Sequence, residues 1–176
     1  GAVAGLVIGA LGNFLDHELK TVKAAIEVNE NQKLRLIKKA RKYYDSFEDL
    51  TVAVLGLTFK PGTDDLREAP SLTIVPILLD DGAKLKVYDP CGAEQFKRKV
   101  GGDIIYCCSP EEALKDADIC FILTEWPEIM DLKPEAFLAM KRPIILDGRN
   151  CFRLENMEGY NLIYESIGRR TVGRSE

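Results

Sequence analysis

The chain has 176 residues, 46% apolar and 30% charged, with a formal net charge of −4 and a pI near 5.2. That is enough apolar sequence to bury a real core, and it fits one globular domain plus an appendage. The acidic balance argues against nucleic acid as the main partner, since a phosphate backbone calls for a basic face; any anion site has to be local.

Residues 1–12 (GAVAGLVIGALG) are small and apolar and begin with Gly rather than Met, which suggests a processed or truncated start. The run Ala2 to Leu11 lacks a basic lead-in and is too short to span a bilayer, so neither a signal peptide nor a membrane span is expected. From Asn13, a candidate N-cap, to Tyr44 nothing breaks a helical pattern. Leu15, Leu19, Val22, Ile26, Asn29, Lys33, Leu36, Ala40 and Tyr43 recur at heptad spacing, interrupted by two polar positions. A helix of about 30 residues is about 45 Å long, more than one small domain covers. Its exposed seam predicts a dimerisation helix with Asn29 and Lys33 fixing register; the alternative is a helix lying across its own domain.

A polar connection at 45–49 separates an N-terminal segment and long helix (1–50) from a domain at 51–176. There the pattern alternates between strands, expected at 51–57, 84–88, 103–106, 119–123, 143–146 and 161–164, and helices at about 70–81, 91–99, 110–116 and 134–140. Such alternation predicts an α/β fold: a Rossmann-like, mainly parallel sheet of about six strands with helices on both faces.

The domain opens on TVAVLGLTFKPGTDDLREAP (51–70), an apolar run that breaks at Gly56 into a polar loop and restarts as a helix at Pro70. Ligands of open α/β sheets sit at the carboxyl ends of strands. Four such ends carry polar clusters: Lys60 and Arg67, Tyr88-Asp89-Pro90, Thr124-Glu125-Trp126, and Asp147-Gly148-Arg149. Lys60, Arg67 and Arg149 would form a locally basic mouth suited to a phosphorylated ligand, with Phe59 and Trp126 as flat surfaces for a base or ribose. Each has a plainer alternative. Lys60 beside Pro61-Gly62 suits a solvated turn, Arg67 can pair with Asp64 or Glu68, and Asp89 can cap a turn. Asp147 can bond loop backbone, Gly148 can supply a positive φ, and Trp126 can be core.

The first turn carries only Gly56 and no G-x-G-x-x-G, so a dinucleotide-binding domain of the usual kind is not expected. The five cysteines (Cys91, Cys107, Cys108, Cys120, Cys151) show no C-x-x-C spacing, and one histidine, His17, lies far from them. They are expected to be buried reduced thiols of a cytoplasmic protein, with no metal and no visible catalytic centre.

The motifs GLTFKPGTDDLREAP, YDP (88–90), LTEW (123–126), LDGRN (146–150) and SIGR (166–169) together resemble the C-terminal UDP-binding domain of the UDP-glucose/UDP-N-acetylmannosamine dehydrogenase family. EVNENQ (27–32) looks like part of that family's long central helix. The resemblance spans about residues 20–170. It implies an NAD-dependent enzyme that oxidises the C6 alcohol of a UDP-sugar to a carboxylate through a cysteine thiohemiacetal, with UDP-glucose the leading substrate. It also implies that Phe59, Lys60 and Arg149 contact the UDP-sugar and that Arg67 reaches NAD held by a missing N-terminal domain. The long helix would form the core of a homodimer. The G-x-C-x-P-K-D segment that carries the family's catalytic cysteine is absent, so no cysteine inherits that role and the chain alone is expected to be inactive. The alternatives are a stand-alone nucleotide-binding or scaffold module and a UDP-N-acetylhexosamine dehydrogenase fragment.

Overall fold

The computed structural model describes residue 20 and residues 32–173. Of the expected long helix, residues 13–19 and 21–31 lie outside the described residues. A helix is present over 32–40 (α1), followed by a turn at 41–43. The compact unit that begins at Leu36 is described below.

It runs β1 (Thr51–Leu55), α2 (Ser71–Asp80), β2 (Lys84–Tyr88), α3 (Ala93–Lys99), β3 (Ile104–Tyr106), α4 (Pro110–Leu114) and β4 (Ile119–Ile122). Then come α5 (Pro127–Met130), a 3-10 helix (Pro134–Ala139), β5 (Ile144–Asp147), α6 (Leu154–Met157) and β6 (Ile163–Glu165). All six strands are parallel neighbours in the order β3-β2-β1-β4-β5-β6. This is the doubly wound arrangement, which reverses direction between β1 and β4 and opens its crevice at the carboxyl ends there.

The strands form because both sheet faces are covered, and the side-chain period of two divides each apolar run between two cores. Val52, Val54, Leu85, Val87, Ile119, Phe121, Ile144 and Leu146 face one side. There they meet Leu36, Ile37 and Ala40 of α1, Phe47, Ile74, Val75 and Leu78 of α2, and Phe96 of α3. Ala53, Leu55, Cys120, Ile122, Ile145 and Tyr164 face the other side, under Ala113 and Leu114 of α4, Ile129, Phe137 and Met157. Thus α1 closes one face of the sheet, and α4 with the short helices closes the opposite one.

The expected six strands and the α/β class are present. Two helical turns, α5 and α6, stand where no helix was expected, and residues 134–139 wind as a 3-10 helix rather than an α-helix. Each of these segments starts at or beside a proline or an extended cap and spans too few residues to show a 3.6-residue period. The edge strand β6 is partly protected by an antiparallel bridge between Tyr164 and Val172. Among the described residues no helix is long and apolar enough to cross a membrane.

Phe121 is fully buried at the centre of the first core. Phe121→Ala is expected to lower unfolding free energy by about 3–5 kcal/mol, read from the urea midpoint.

Candidate functional site

The crevice at the β1/β4 reversal is organised by one carboxylate. Asp89, directly after β2 and 6% exposed, accepts through Oδ2 from the backbone N–H groups of Leu57 (2.7 Å) and Thr58 (3.0 Å). The same oxygen accepts from Thr58 Oγ1 (3.2 Å) and Trp126 Nε1 (3.0 Å). Its Oδ1 takes the N–H groups of Cys91 (2.9 Å) and Gly92 (2.7 Å). A turn cap was one expectation for Asp89, and it does cap that turn. It also joins the carboxyl ends of β1, β2 and β4.

Thr58 and Thr124 complete the tie. Thr124 Oγ1 donates to the Thr58 carbonyl at 2.6 Å, and Trp126 Nε1 also reaches Thr58 Oγ1 at 3.1 Å. The approach is so close at Gly56 (φ +95°) that a Cβ would stand 2.5 Å from Thr124 Cβ, which only glycine avoids. Trp126 is therefore a buried strut, 6% exposed, and no surface for a ligand ring.

Upon this frame the loop after β1 projects outward. Phe59 is 42% exposed, and its N–H donates to the Asp65 carbonyl (3.0 Å), closing the loop. The neighbouring Lys60 is exposed, and its ammonium has no ion-pair partner among the described residues. Arg67 meets neither of the carboxylates considered from sequence. Asp65 accepts its backbone N–H (2.9 Å), Nε (3.1 Å) and Nη2 (2.9 Å). The loop is not helical there, so an i,i+2 pair faces together where helical spacing would point to i+3 or i+4. The Arg67 guanidinium holds the Asp65 carboxyl down to about 2.

Arg149, after β5, forms a two-pronged pair with Glu125, after the adjacent β4: Nε to Oε2, and Nη2 to Oε1 at 3.1 Å. Each side chain is about one-third exposed. Arg149 depresses the Glu125 carboxyl below the usual glutamate range. The expected basic mouth is thus smaller than a count of cations implies: both arginines are matched by carboxylates, and Lys60 alone of the three is unmatched.

The β5 loop is braced from beneath by Asp147. Its Oδ1 accepts the Arg149 N–H (2.8 Å), while Oδ2 accepts Cys151 N–H (2.7 Å) and the Tyr164 hydroxyl (2.6 Å). Burial pushes this carboxyl up despite those donors. Arg169 of SIGR donates to Tyr164 Oη (3.0 Å), to the Phe152 carbonyl (2.9 Å) and to Ser166 Oγ (2.8 Å), so it supports the loop from behind. The positive φ expected at Gly148 belongs to Asn150 (φ 53°), whose amide is fixed by both backbone groups of Ile167. Room at Gly148 is tight, since a Cβ would lie 3.3 Å from the Ile122 carbonyl, a few tenths of an ångström closer than ordinary contact.

All five cysteines are free, but only Cys120 is buried; Cys91 and Cys108 are exposed. Burial raises the thiols of Cys107, Cys120 and Cys151, the opposite of nucleophile activation. Among the described residues no G-x-G-x-x-G turn leads into α2. Helix α2 starts behind Pro70, which lacks an N–H, and Ser71 Oγ donates back to the Leu57 carbonyl at 2.5 Å.

Residues 53–154, more than half of the chain, match the model of the UDP binding domain of the UDP-glucose/GDP-mannose dehydrogenase family. The chain belongs to that family. It is 39% identical over 161 residues to UDP-glucose 6-dehydrogenase TuaD of Bacillus subtilis, covering 91% of this chain and 35% of that protein. To UDP-glucose 6-dehydrogenase AglM of Haloferax volcanii it is 38% identical, covering 86% and 34%. Among solved structures it resembles a UDP-glucose dehydrogenase from Pyrobaculum islandicum, with a TM-score of 0.64 at 30% identity, over 72% of this chain and 28% of that one. The chain therefore spans about a third of the length of the relatives it matches.

Asp89→Ala would strand the buried donors of Leu57, Thr58 and Trp126. The expected loss is about 3 kcal/mol or more in urea unfolding; a loss below about 1 kcal/mol would show that the carboxylate is not what joins the loops.

Proposed function

We propose that this chain is the UDP-sugar-binding and dimerisation portion of an NAD-dependent UDP-glucose 6-dehydrogenase, an enzyme that oxidises UDP-glucose to UDP-glucuronate in two steps. The observation that carries the reading is the family match falling on a crevice whose carboxyl-end loops hold Phe59, Lys60 and Arg149. The unmatched Lys60 ammonium is the principal contact for the diphosphate, since a charge-assisted bond needs a cation not already satisfied. Arg149 contributes the guanidinium edge that Glu125 leaves open, and Phe59 offers its exposed ring to the nucleoside. Arg67, with a side chain 84% exposed, faces outward toward NAD held by a domain that this chain lacks. NAD supplies the hydride acceptor; this chain's residues bind and orient the UDP-sugar. The cysteine that forms the thiohemiacetal also belongs to that missing part, and the chain alone is inactive. The protein works in the cytoplasm.

Isothermal titration of the chain with UDP-glucose tests the reading. Binding is expected, and Lys60→Ala should weaken it about tenfold; no heat with UDP-glucose or with UDP sinks it.

The heptad positions Leu15, Leu19, Val22 and Ile26 support a homodimer, whereas Leu36 and Ala40 at the end of that series pack into the core of the sheet. Sedimentation velocity should show a dimer, and a strictly monomeric species across a broad concentration range would overturn this assignment.

A further inference from the structure

The pairing of Glu125 with Arg149 costs the site cationic charge at the place where an anionic ligand is to be held, and a purely attractive design would omit it. Neither side chain is buried deeply enough to need the other. Both are about one-third exposed, and an exposed pair adds little to stability. The guanidinium is also not consumed. Glu125 takes Nε and Nη2, leaving one hydrogen of Nη1 and the second hydrogen of Nη2 side by side along the end edge, enough for a bidentate bond to a phosphate. The pair is held at the mouth by the ends of adjacent strands, with Gly148 N–H bonded to the Ile122 carbonyl at 2.9 Å. A carboxylate thus stands behind the guanidinium, fixed there, opposing every negative charge the ligand brings.

Resting on the nucleotide-sugar reading above, we propose that Glu125 is a specificity-determining residue that sets the charge selectivity of the site. By offsetting Arg149 it lets the site hold the diphosphate diester of a nucleoside-diphosphate sugar. It also keeps that site from preferring nucleotides with free terminal phosphates, which carry more charge. Coulomb energy scales with ligand charge, so the carboxylate's opposition grows from UDP-glucose to UDP to UTP, which carry about two, three and four negative charges. At a separation of about 7 Å in a water-like dielectric the opposition is roughly threefold in affinity per ligand charge.

The test is titration of the wild-type chain and of Glu125→Gln and Glu125→Asp with UDP-glucose, UDP and UTP at one ionic strength, with folding checked by circular dichroism. Glu125→Gln removes the charge and keeps the shape; it should raise the affinity ratio of UTP over UDP-glucose about tenfold. Glu125→Asp keeps the charge and should keep the wild-type ratio. An unchanged ratio in Glu125→Gln, or equal weakening of all three ligands, overturns the proposal and leaves the binding reading standing, because that outcome is an ordinary positioning role. A raised ratio in Glu125→Asp equal to that of Glu125→Gln also overturns it. Absence of binding by the wild-type chain to all three overturns the nucleotide-sugar reading and this proposal together.

Discussion

The carboxylate of Asp89 is the point on which the open end of the sheet depends. Strand pairing ends at Leu55 and Tyr88, and beyond it the chain loses the ladder that would otherwise satisfy its amides. Leu57, Thr58, Cys91 and Gly92 all send their N–H groups to this one side chain, and the Trp126 ring joins them. A buried carboxylate can remain there because its acceptor capacity is filled, and charge-assisted bonds in a low-dielectric setting are strong. The carboxyl ends of three strands thereby become one rigid rim. Secondary structure alone would leave them as separate loops.

A rigid rim changes what the exposed residues beyond it can do. Phe59 and Lys60 directly follow Thr58, whose amide, hydroxyl and carbonyl are all engaged, so the backbone feeding them is fixed before any ligand arrives. Asp147 does the same for Arg149 through the Arg149 amide, with Tyr164 and Arg169 stacked behind it. In the proposed reading the exposed tips carry the recognition while the entropy of ordering the loops is settled within the fold, which is the general route to affinity from few contacts.

The fold was legible because a parallel sheet covered on both faces turns its central strands β1, β4 and β5 into near-continuous apolar runs, while β2 (KLKVY) alternates. What stayed hidden falls into two kinds. The single-turn helices α5 and α6 are shorter than the period that would reveal them. The bonds of the site span long stretches of chain, such as the 37 residues from Trp126 to Asp89 and the 66 from Thr124 to Thr58, and no local pattern announces them. The Glu125–Arg149 pair could have been found: both follow consecutive strands of a sheet expected to be mainly parallel, so a carboxylate and a guanidinium at one edge of the sheet were available to meet. Asp65 was missed as the partner of Arg67, for which Asp64 and Glu68 had been considered, because the turn's own conformation brings the two side chains together. Gly148 was credited with a left-handed conformation that Asn150 adopts, since asparagine tolerates that region when its amide is held on both sides.

The distribution of charge argues for how the crevice is to be completed. Each arginine at the mouth arrives with its own carboxylate, yet the two pairs differ in setting. Arg149 and Glu125 lie against the sheet end, one-third exposed, whereas Arg67 stands 84% exposed and is paired with Asp65 of its own loop. A pair at the sheet end can tune what enters the crevice. A guanidinium held erect in solvent by a carboxylate two residues away has no such target within its own unit. Its five-donor fork is oriented and yet only partly used, a state that makes physical sense for a group placed to meet something outside this unit. The loop after β1 thus carries two cations near Asp65, Arg67 bonded to it and Lys60 acting on it only at longer range. The frame around Asp89 keeps the base of that loop rigid enough to hold both in position.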